Sequence, residues 1–370
     1  MDINDHLHDS MKQKTCSVII GTGSYIPSRL IKNDNFLNHK FYDSDGKELE
    51  KTNDEIIEKF LEITTISERR YVTEDLVASD IAYYAATDAI NDSGIDKEDL
   101  DYLIVAHNFG DVGYNSKRSD TVPSLAARVK YKLEIRNPDT VAYDILFGCP
   151  GWLQAVIQAD YFIKSGDAKK ILVIGVETLS RVSDPHDRDS MLYSDGAGAV
   201  IFEAKNSDVP LGILSHKSRS DALTHSKMLI MDKSYNPDYK PNDILFLKMN
   251  GRKLYQYAIE TVPLAIKACL DKCNIHLSEV NKMLFHQANG KLDDSILDRL
   301  FKLYGITDIP NNIMPMTISW LGNSSVATLP TILDLILKGN FKPNEINRGD
   351  IVLFASVGAG MNANAVVYKM

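Results

Sequence analysis

The chain predicts an α/β protein made of two pseudo-symmetric βαβ-type halves with packed central sheets. Residue types of the first half recur 180 positions later: Ala85, Ala86, Ala89, Ile95, Leu100, Leu103 and Ile104 fall on Ala265, Ile266, Cys269, Ile275, Val280, Met283 and Leu284. The unbroken apolar runs Ile171–Ile174 and Ile351–Phe354 stand at the same offset and read as buried strands. Each half closes on a glycine-rich turn feeding a strand: Gly196-Ala197-Gly198 before Ala199–Phe202, and Gly358-Ala359-Gly360 before Ala365–Tyr368. Strands alternating with helices in this way suggest largely parallel sheets.

The elements follow in order. Residues 1–16 are polar, with Asp2, Asp5, His6, His8 and Asp9 and no apolar core of a signal peptide. They are expected to form a disordered leader, within which Met11 is an alternative start. The first half is expected over 17–205 and the second over 206–370, divided where Lys205-Asn206-Ser207-Asp208 separates two apolar runs. Gly21-Thr22-Gly23 is expected to be a tight turn after the first strand. A lone G-x-G with no following helix or acidic residue does not make a dinucleotide site. An amphipathic helix around Ala85–Ala89 leads to a strand at Leu103-Ile104. Asp144–Phe147 reads as a short buried strand, Gly148 as a tight turn, and Pro150 as a residue suited to the first turn of a helix. Trp152, Leu153, Ala155, Val156 and Ile157 make that helix mostly apolar. The second half repeats helix and strand at Ala265–Cys269 and Met283–Phe285. The faces of the halves are expected to pack on each other, so that neither is stable alone.

Cys149 therefore stands at the mouth of a helix. Unpaired backbone N–H groups and the helix dipole there favour a thiolate, and a depressed pKa and a nucleophilic role are expected. His286 ends the apolar strand Met283-Leu284-Phe285, and Asn323 follows Gly322 at another strand-to-helix junction. Gly148-Cys149 and Gly322-Asn323 occupy like positions in the two halves, 174 residues apart. A pseudo-twofold would bring both helix starts to the centre, with His286 where the first half carries Ala106.

The bulk properties set limits. The chain has 370 residues, 44% hydrophobic and 25% charged, with room for a large core. No apolar stretch reaches the 18 or so residues of a membrane span. Cys16, Cys149, Cys269 and Cys273 show no regular pairing, which points to a reducing, cytoplasmic setting. Cys269 and Cys273 read as helix core, and no metal-ligand spacing accompanies them. A net charge of −9 argues against nucleic acid as a partner.

The spans Gly148-Cys149-Pro150-Gly151-Trp152, His286-Gln287-Ala288-Asn289 and Gly322-Asn323-Ser324-Ser325 resemble the β-ketoacyl-acyl carrier protein synthase III family. Ser180 to Arg188, Asp195-Gly196-Ala197-Gly198-Ala199 and Gly358-Ala359-Gly360 do so too, in the family's order and spacing from about Ser17 onward. The resemblance implies a thiolase-like fold with the site where the halves meet. It implies that Cys149 takes the acyl group, with the backbone N–H groups of Cys149 and Ala359 holding the oxyanion. His286 and Asn323 would stabilise the enolate formed when a malonyl-acyl carrier protein loses carbon dioxide. No metal or organic cofactor is implied; a homodimer is. The activity would be a decarboxylating Claisen condensation in fatty-acid initiation or a related lipid or polyketide pathway. The alternatives are a hydroxymethylglutaryl-CoA synthase-like or non-decarboxylating acyl transfer on the same fold, and a degenerate subunit. The His–Asn pair favours decarboxylation, and the retained Cys149 speaks against degeneracy.

Departures from the family bear on substrate. Ile56 stands where members carry a Trp that stacks on the adenine of CoA, while Arg181 matches the second adenine contact. This moves the expected donor from acyl-CoA towards an acyl carrier protein. Val122 precedes Pro123-Ser124 where a Phe reaches into the partner's acyl pocket, leaving room, whereas Leu146 and Phe147 take room away. An acidic carrier needs a local basic patch, expected at Lys291 with Arg252 and Lys253, and with Lys248 beside them.

Overall fold

The computed structural model describes residues 14–241 and 243–370. Most of the expected leader, Met11 included, lies outside the described residues. The nine strands of the two main sheets run in chain order as β1 (Lys14–Tyr25), β2 (Tyr102–Ala106), β3 (Val141–Ile145), β4 (Lys170–Thr178), β5 (Asp195–Ser207), β6 (Gly212–Ser220), β7 (Lys282–Phe285), β8 (Ile351–Gly358) and β9 (Asn362–Lys369). The main helices are α1 (Asn53–Thr64), α2 (Ala78–Ser93), α3 (Leu125–Lys132), α4 (Gly151–Ser165), α5 (Gly251–Lys272), α6 (Gly290–Leu303) and α7 (Thr328–Leu337).

One sheet has the order β1-β5-β4-β2-β3 and the other β6-β9-β8-β7, so the orders correspond strand for strand apart from β3. The sheets are mixed rather than largely parallel. β2 is parallel to both β3 and β4, and β7 to β8, but β5 and β9 run antiparallel to each of their neighbours.

Alternation along the strands builds five layers. Ile104, Val173, Val200 and Phe202 of the first sheet, and Leu284, Val352, Phe354, Val366 and Tyr368 of the second, face a central layer of α4 and α7. The intervening residues face outward: Leu103, Val105, Leu172 and Ile174 onto α2 and α3, and Met283, Phe285, Leu353 and Val367 onto α5 and α6. A helix apolar on nearly all sides must be buried. Trp152, Leu153, Val156, Ile157 and Ile163 of α4 accordingly lie in the core. Each such Leu, Val or Ile contributes about 1.5–3 kcal/mol on burial, and each sheet covers part of the same two helices.

Three expectations are corrected here. β1 begins at Lys14, and Cys16, assigned to the leader, is buried and paired with Lys205. β5 runs to Ser207, so Lys205-Asn206-Ser207 is strand and the connection to β6 follows it. Gly21 and Gly23 lie inside β1 rather than in a turn after it. A Cβ on Gly23 would stand 2.3 Å from the Ala85 carbonyl, so the glycines let α2 lie against the strand. Gly196 and Gly198 are likewise inside β5. Among the described residues no helix is long and apolar enough to cross a membrane.

Candidate active site

β3 is the edge of its sheet and ends at Ile145, the partner of Ala106. The strand expected to be buried over Asp144–Phe147 runs instead over Val141–Ile145, stops two residues short of Phe147, and as an edge has only Ile145 buried. Leu146 is 64% exposed and Phe147 half-buried in a cavity wall. Gly148 then turns the chain with φ +67°, and Pro150 precedes the first residue of α4. A Cβ on Gly148 would meet Ala359 N at 2.6 Å, and one on Gly358 would meet Cys149 N at 2.5 Å. Two glycine turns, one from each sheet, thus pack backbone to backbone. The left-handed residues of the second turn are Gly360 (φ +78°) and Met361 (φ +50°), so Ala359 sits where alanine is unstrained.

His286 follows β7, its N–H donating to Ala355 O at 2.8 Å. Its ring is buried and Nδ1 has no partner among the described residues. Burial pushes the imidazole down to about 4, opposed by a backbone hydrogen bond at Ser325. The ring is neutral at neutral pH and keeps one N–H to donate. Asn323 is tied by its backbone, donating to Leu192 O at 2.9 Å and accepting from Ser194 N at 2.8 Å. Its side-chain oxygen accepts from Ser325 N at 2.9 Å, which leaves the amide NH₂ as the donor end. Gln287 joins the two segments. Its Nε2 donates to Pro315 O at 2.8 Å, and its Oε1 accepts from Thr317 N and Ile318 N, both at 2.9 Å.

Ser325, with φ +53°, donates from Oγ to Cys149 Sγ at 3.3 Å. Asn108 Nδ2 lies 3.5 Å from that hydroxyl and donates to Glu177 Oε2 at 2.7 Å. Burial pushes the Glu177 carboxyl up to about 7. The expected depression of the Cys149 thiol is reversed. Burial raises it to about 11, with Glu177 adding to the rise and the Ser325 hydroxyl opposing it. Desolvation of a thiolate between packed turns is the largest cause of that rise.

Cys149, His286, Asn323, Gly358 and Ala359 line one cavity of about 850 Å³. Its walls are mainly apolar. α1 supplies Ile56, Phe60 and Ile63, and the antiparallel pair Leu229–Asp232 with Phe246–Met249 supplies Leu229, Met231, Leu247 and Met249. α1 begins at a capping box between Thr52 and Glu55.

Other expected contacts are not brought together. Arg181 is buried outside the cavity, donating to Thr73 O at 2.7 Å with Tyr114 against its guanidinium, so it does not stand ready for an adenine. Lys248 is buried and paired with Asp184 and Asp187, which removes it from any surface patch. Val122 is exposed and lines no part of its own chain's cavity. Lys291 is exposed but pairs with Glu62 at 3.1 Å, Arg252 lines the cavity mouth, and Lys253 is exposed. Ser325, Gln287, Asn108 and Glu177 were not assigned from sequence. The first two stand inside the recognised motifs, whereas no pattern marks the others.

Residues 143–222 match the family described as 3-oxoacyl-[acyl-carrier-protein (ACP)] synthase III, and residues 270–370 match its C-terminal part. The chain is 33% identical over 356 residues to the β-ketoacyl-[acyl-carrier-protein] synthase III of Ehrlichia ruminantium (strain Gardel), covering 96% of this chain and 99% of that one. It is 32% identical over 352 residues to the enzyme of the same name from Staphylococcus aureus (strain Newman), covering 95% and 98%. The crystal structure of 3-oxoacyl-[acyl-carrier-protein] synthase III from Aquifex aeolicus superposes with a TM-score of 0.77 at 28% identity, covering 96% of this chain and all of the other. The fold is thus the thiolase-like fold of condensing enzymes. Within that class, the chain belongs to the β-ketoacyl-[acyl-carrier-protein] synthase III family.

Proposed function

We propose that this chain catalyses the decarboxylating Claisen condensation of an acyl thioester with a malonyl-acyl carrier protein, in fatty-acid initiation or a related priming step. The observation that carries it is the convergence of Cys149, His286 and Asn323 on one cavity, where Cys149 N packs against the Gly358–Ala359 turn. Cys149 attacks the thioester carbonyl, and the oxyanion lies against the N–H groups of Cys149 and Ala359. The departing thiol carries the proton away. The malonyl thioester then enters and loses carbon dioxide, its enolate oxygen accepting hydrogen bonds from neutral His286 and the Asn323 amide. The carbanion attacks the acyl-Cys149 thioester, which releases the β-ketoacyl carrier product and expels the Cys149 thiolate; the thiolate takes up a proton from water to restore the thiol. Release of one carbon dioxide per β-ketoacyl product, dependent on prior acylation, is the test. Acyl transfer without carbon dioxide would refute it.

Three further features belong to this reading. Burial of Arg181 and the aliphatic Ile56 favour a carrier-protein donor over acyl-CoA. The edge strand β3, with Val141 exposed at its start and Leu146 exposed just past its end, suits a second copy of the chain, since an uncovered edge invites pairing. Sedimentation as a monomer at micromolar concentration would refute the homodimer. Four free cysteines fit a reducing cytoplasm, and localisation by fractionation tests this.

A further inference from the structure

Two adjacent serines follow Asn323, and their hydroxyls go to different places. Ser324 Oγ lies 3.3 Å from the Thr328 hydroxyl and belongs to the start of α7. Ser325 lines the active-site cavity, and its Oγ donates to Cys149 Sγ at 3.3 Å. The backbone is strained to put that hydroxyl there. Ser325 has φ +53°, a left-handed conformation that glycine enters freely and serine does not. The turn that it opens, Ser325–Ala327, is pressed against β4, where a Cβ on Gly175 would stand 2.3 Å from Val326 O. Strain of this kind persists where the surroundings impose it, and it gathers at functional sites. A glycine would satisfy the backbone; only the hydroxyl calls for serine.

The direction of that hydrogen bond is fixed from behind. Glu177 Oε2 accepts from Asn108 Nδ2 at 2.7 Å, which turns the amide nitrogen, and not its carbonyl, towards Ser325 Oγ 3.5 Å away. A hydroxyl faced by an N–H has nothing to donate to on that side, so its own proton is left for the sulfur. The amide orients and does not pass protons along, so Glu177 is no base for the thiol through this chain of groups.

We propose that Ser325 is a catalytic residue whose hydroxyl stabilises the Cys149 thiolate, and that Asn108, held by Glu177, is the positioning residue that aims it. The proposal rests on the condensing activity above and adds a group to that same site. The sulfur is anionic twice in that cycle: when it attacks the acyl thioester, and when the carbanion expels it from the acyl-enzyme. The Ser325 hydroxyl keeps its own proton in both steps. The thiol proton leaves with the departing thiol in the first, and the expelled thiolate is reprotonated from water after the second. Such help is needed because burial holds the thiol at about 11, and the Ser325 hydroxyl is the larger of the two effects opposing that rise. A hydrogen bond to an ionised partner is stronger than one to a neutral partner, so this one favours the thiolate over the thiol.

The test follows acylation of Cys149 by intact mass in Ser325→Ala and Ser325→Gly, with iodoacetamide alkylation of the same thiol located by peptide mass. Glycine suits the left-handed backbone, so the second variant stands in should alanine disturb the turn. Both should lose about tenfold in kcat/KM for acylation, the scale of one hydrogen bond to a charged group. Alkylation near neutral pH should slow about threefold, because a scarcer thiolate of higher pKa is also more nucleophilic. Carbon dioxide release by the pre-acylated variants should stay close to wild type. Enolate formation precedes any charge on sulfur, and both variants keep the Ser325 backbone N–H that holds Asn323 Oδ1 at 2.9 Å. Asn108→Ala should slow acylation severalfold in wild type and clearly less in Ser325→Ala, where the hydroxyl it aims is gone. Wild-type acylation and alkylation by both serine variants would overturn the proposal. So would parallel losses of acylation and decarboxylation, which would make Ser325 a support for the loop alone. An Asn108→Ala loss of equal size in both backgrounds would overturn the positioning role. Failure of every thioester to acylate wild-type Cys149 would instead defeat the condensing reading itself.

Discussion

A single methyl group on Gly358 tests the oxyanion site. The residue is extended, at φ −172°, so alanine meets no backbone penalty there. Its Cβ would nevertheless stand 2.5 Å from Cys149 N, 2.9 Å from Cys149 Cβ and 2.9 Å from Pro150 Cδ. Ordinary contact begins near 3.4 Å, so the two turns must part by several tenths of an ångström and the paired N–H groups lose their common focus. Misplacement by about 1 Å costs about 10²-fold, and loss of one oxyanion donor about 10²–10³-fold. Overpacking of this kind costs about 1–3 kcal/mol, which leaves a large α/β domain folded. Gly358→Ala should therefore acylate Cys149 about 10²–10³ times more slowly, followed by intact mass, with a cooperative thermal transition retained. Gly148→Ala should lose as much activity and more stability, since it adds left-handed strain at φ +67° to a 2.6 Å clash with Ala359 N. Wild-type acylation by Gly358→Ala would refute the placement of the oxyanion site between these turns.

His286→Ala and Asn323→Ala should still form acyl-enzyme but lose carbon dioxide release by about 10²-fold or more, measured with malonyl carrier protein; lost acylation with normal decarboxylation would reverse the assignment. Because burial raises the Cys149 thiol to about 11, its thiolate fraction grows tenfold per pH unit below that value, and acyl transfer should climb with pH. Decarboxylation by pre-acylated enzyme should stay flat above roughly pH 6, since His286, pushed down to about 4, is already neutral there. The same depressed value means that its contribution to stability is complete above the unfolded pKa near 6.5 and is lost as pH falls towards 4, which thermal melts of wild type against His286→Gln would read. Lys291→Glu should weaken turnover of carrier-bound substrates with a steep salt dependence and spare a small thioester; equal losses with both would place the docking patch elsewhere.

Much of this was legible in the sequence because it is local or repeated. The 180-residue offset marks matching helices and strands in the two halves, and Cys149 and His286 each follow a short apolar strand; Asn323, expected after a strand, instead follows the short helix Ile318–Leu321 and Gly322. What escaped depends on contacts between distant segments. Glycines in β1 and β5 look like turns until a helix is seen lying on them. Arg181 and Lys248 look like surface cations until their partners, the Thr73 carbonyl and the buried Asp184 and Asp187, are known. The thiol of Cys149 was misjudged for a related reason: a helix start is visible in sequence, whereas the desolvation imposed by the Gly358–Ala359 turn, more than 200 residues away, is not. Asn108 and Glu177 stand in no recurring pattern, and only their contact with each other and with Ser325 brings them to notice.

The most direct measurement follows the acyl group through one turnover. Protein exposed to an acyl thioester is digested and the adduct located by peptide mass, and malonyl carrier protein is then added to an undigested portion. The adduct should sit on Cys149, be absent from Cys149→Ser and persist in Cys269→Ser, and vanish on malonyl addition as carbon dioxide and a carrier-bound β-ketoacyl group two carbons longer appear together. An adduct on another residue, or one that survives malonyl carrier protein without release of carbon dioxide, would contradict the mechanism.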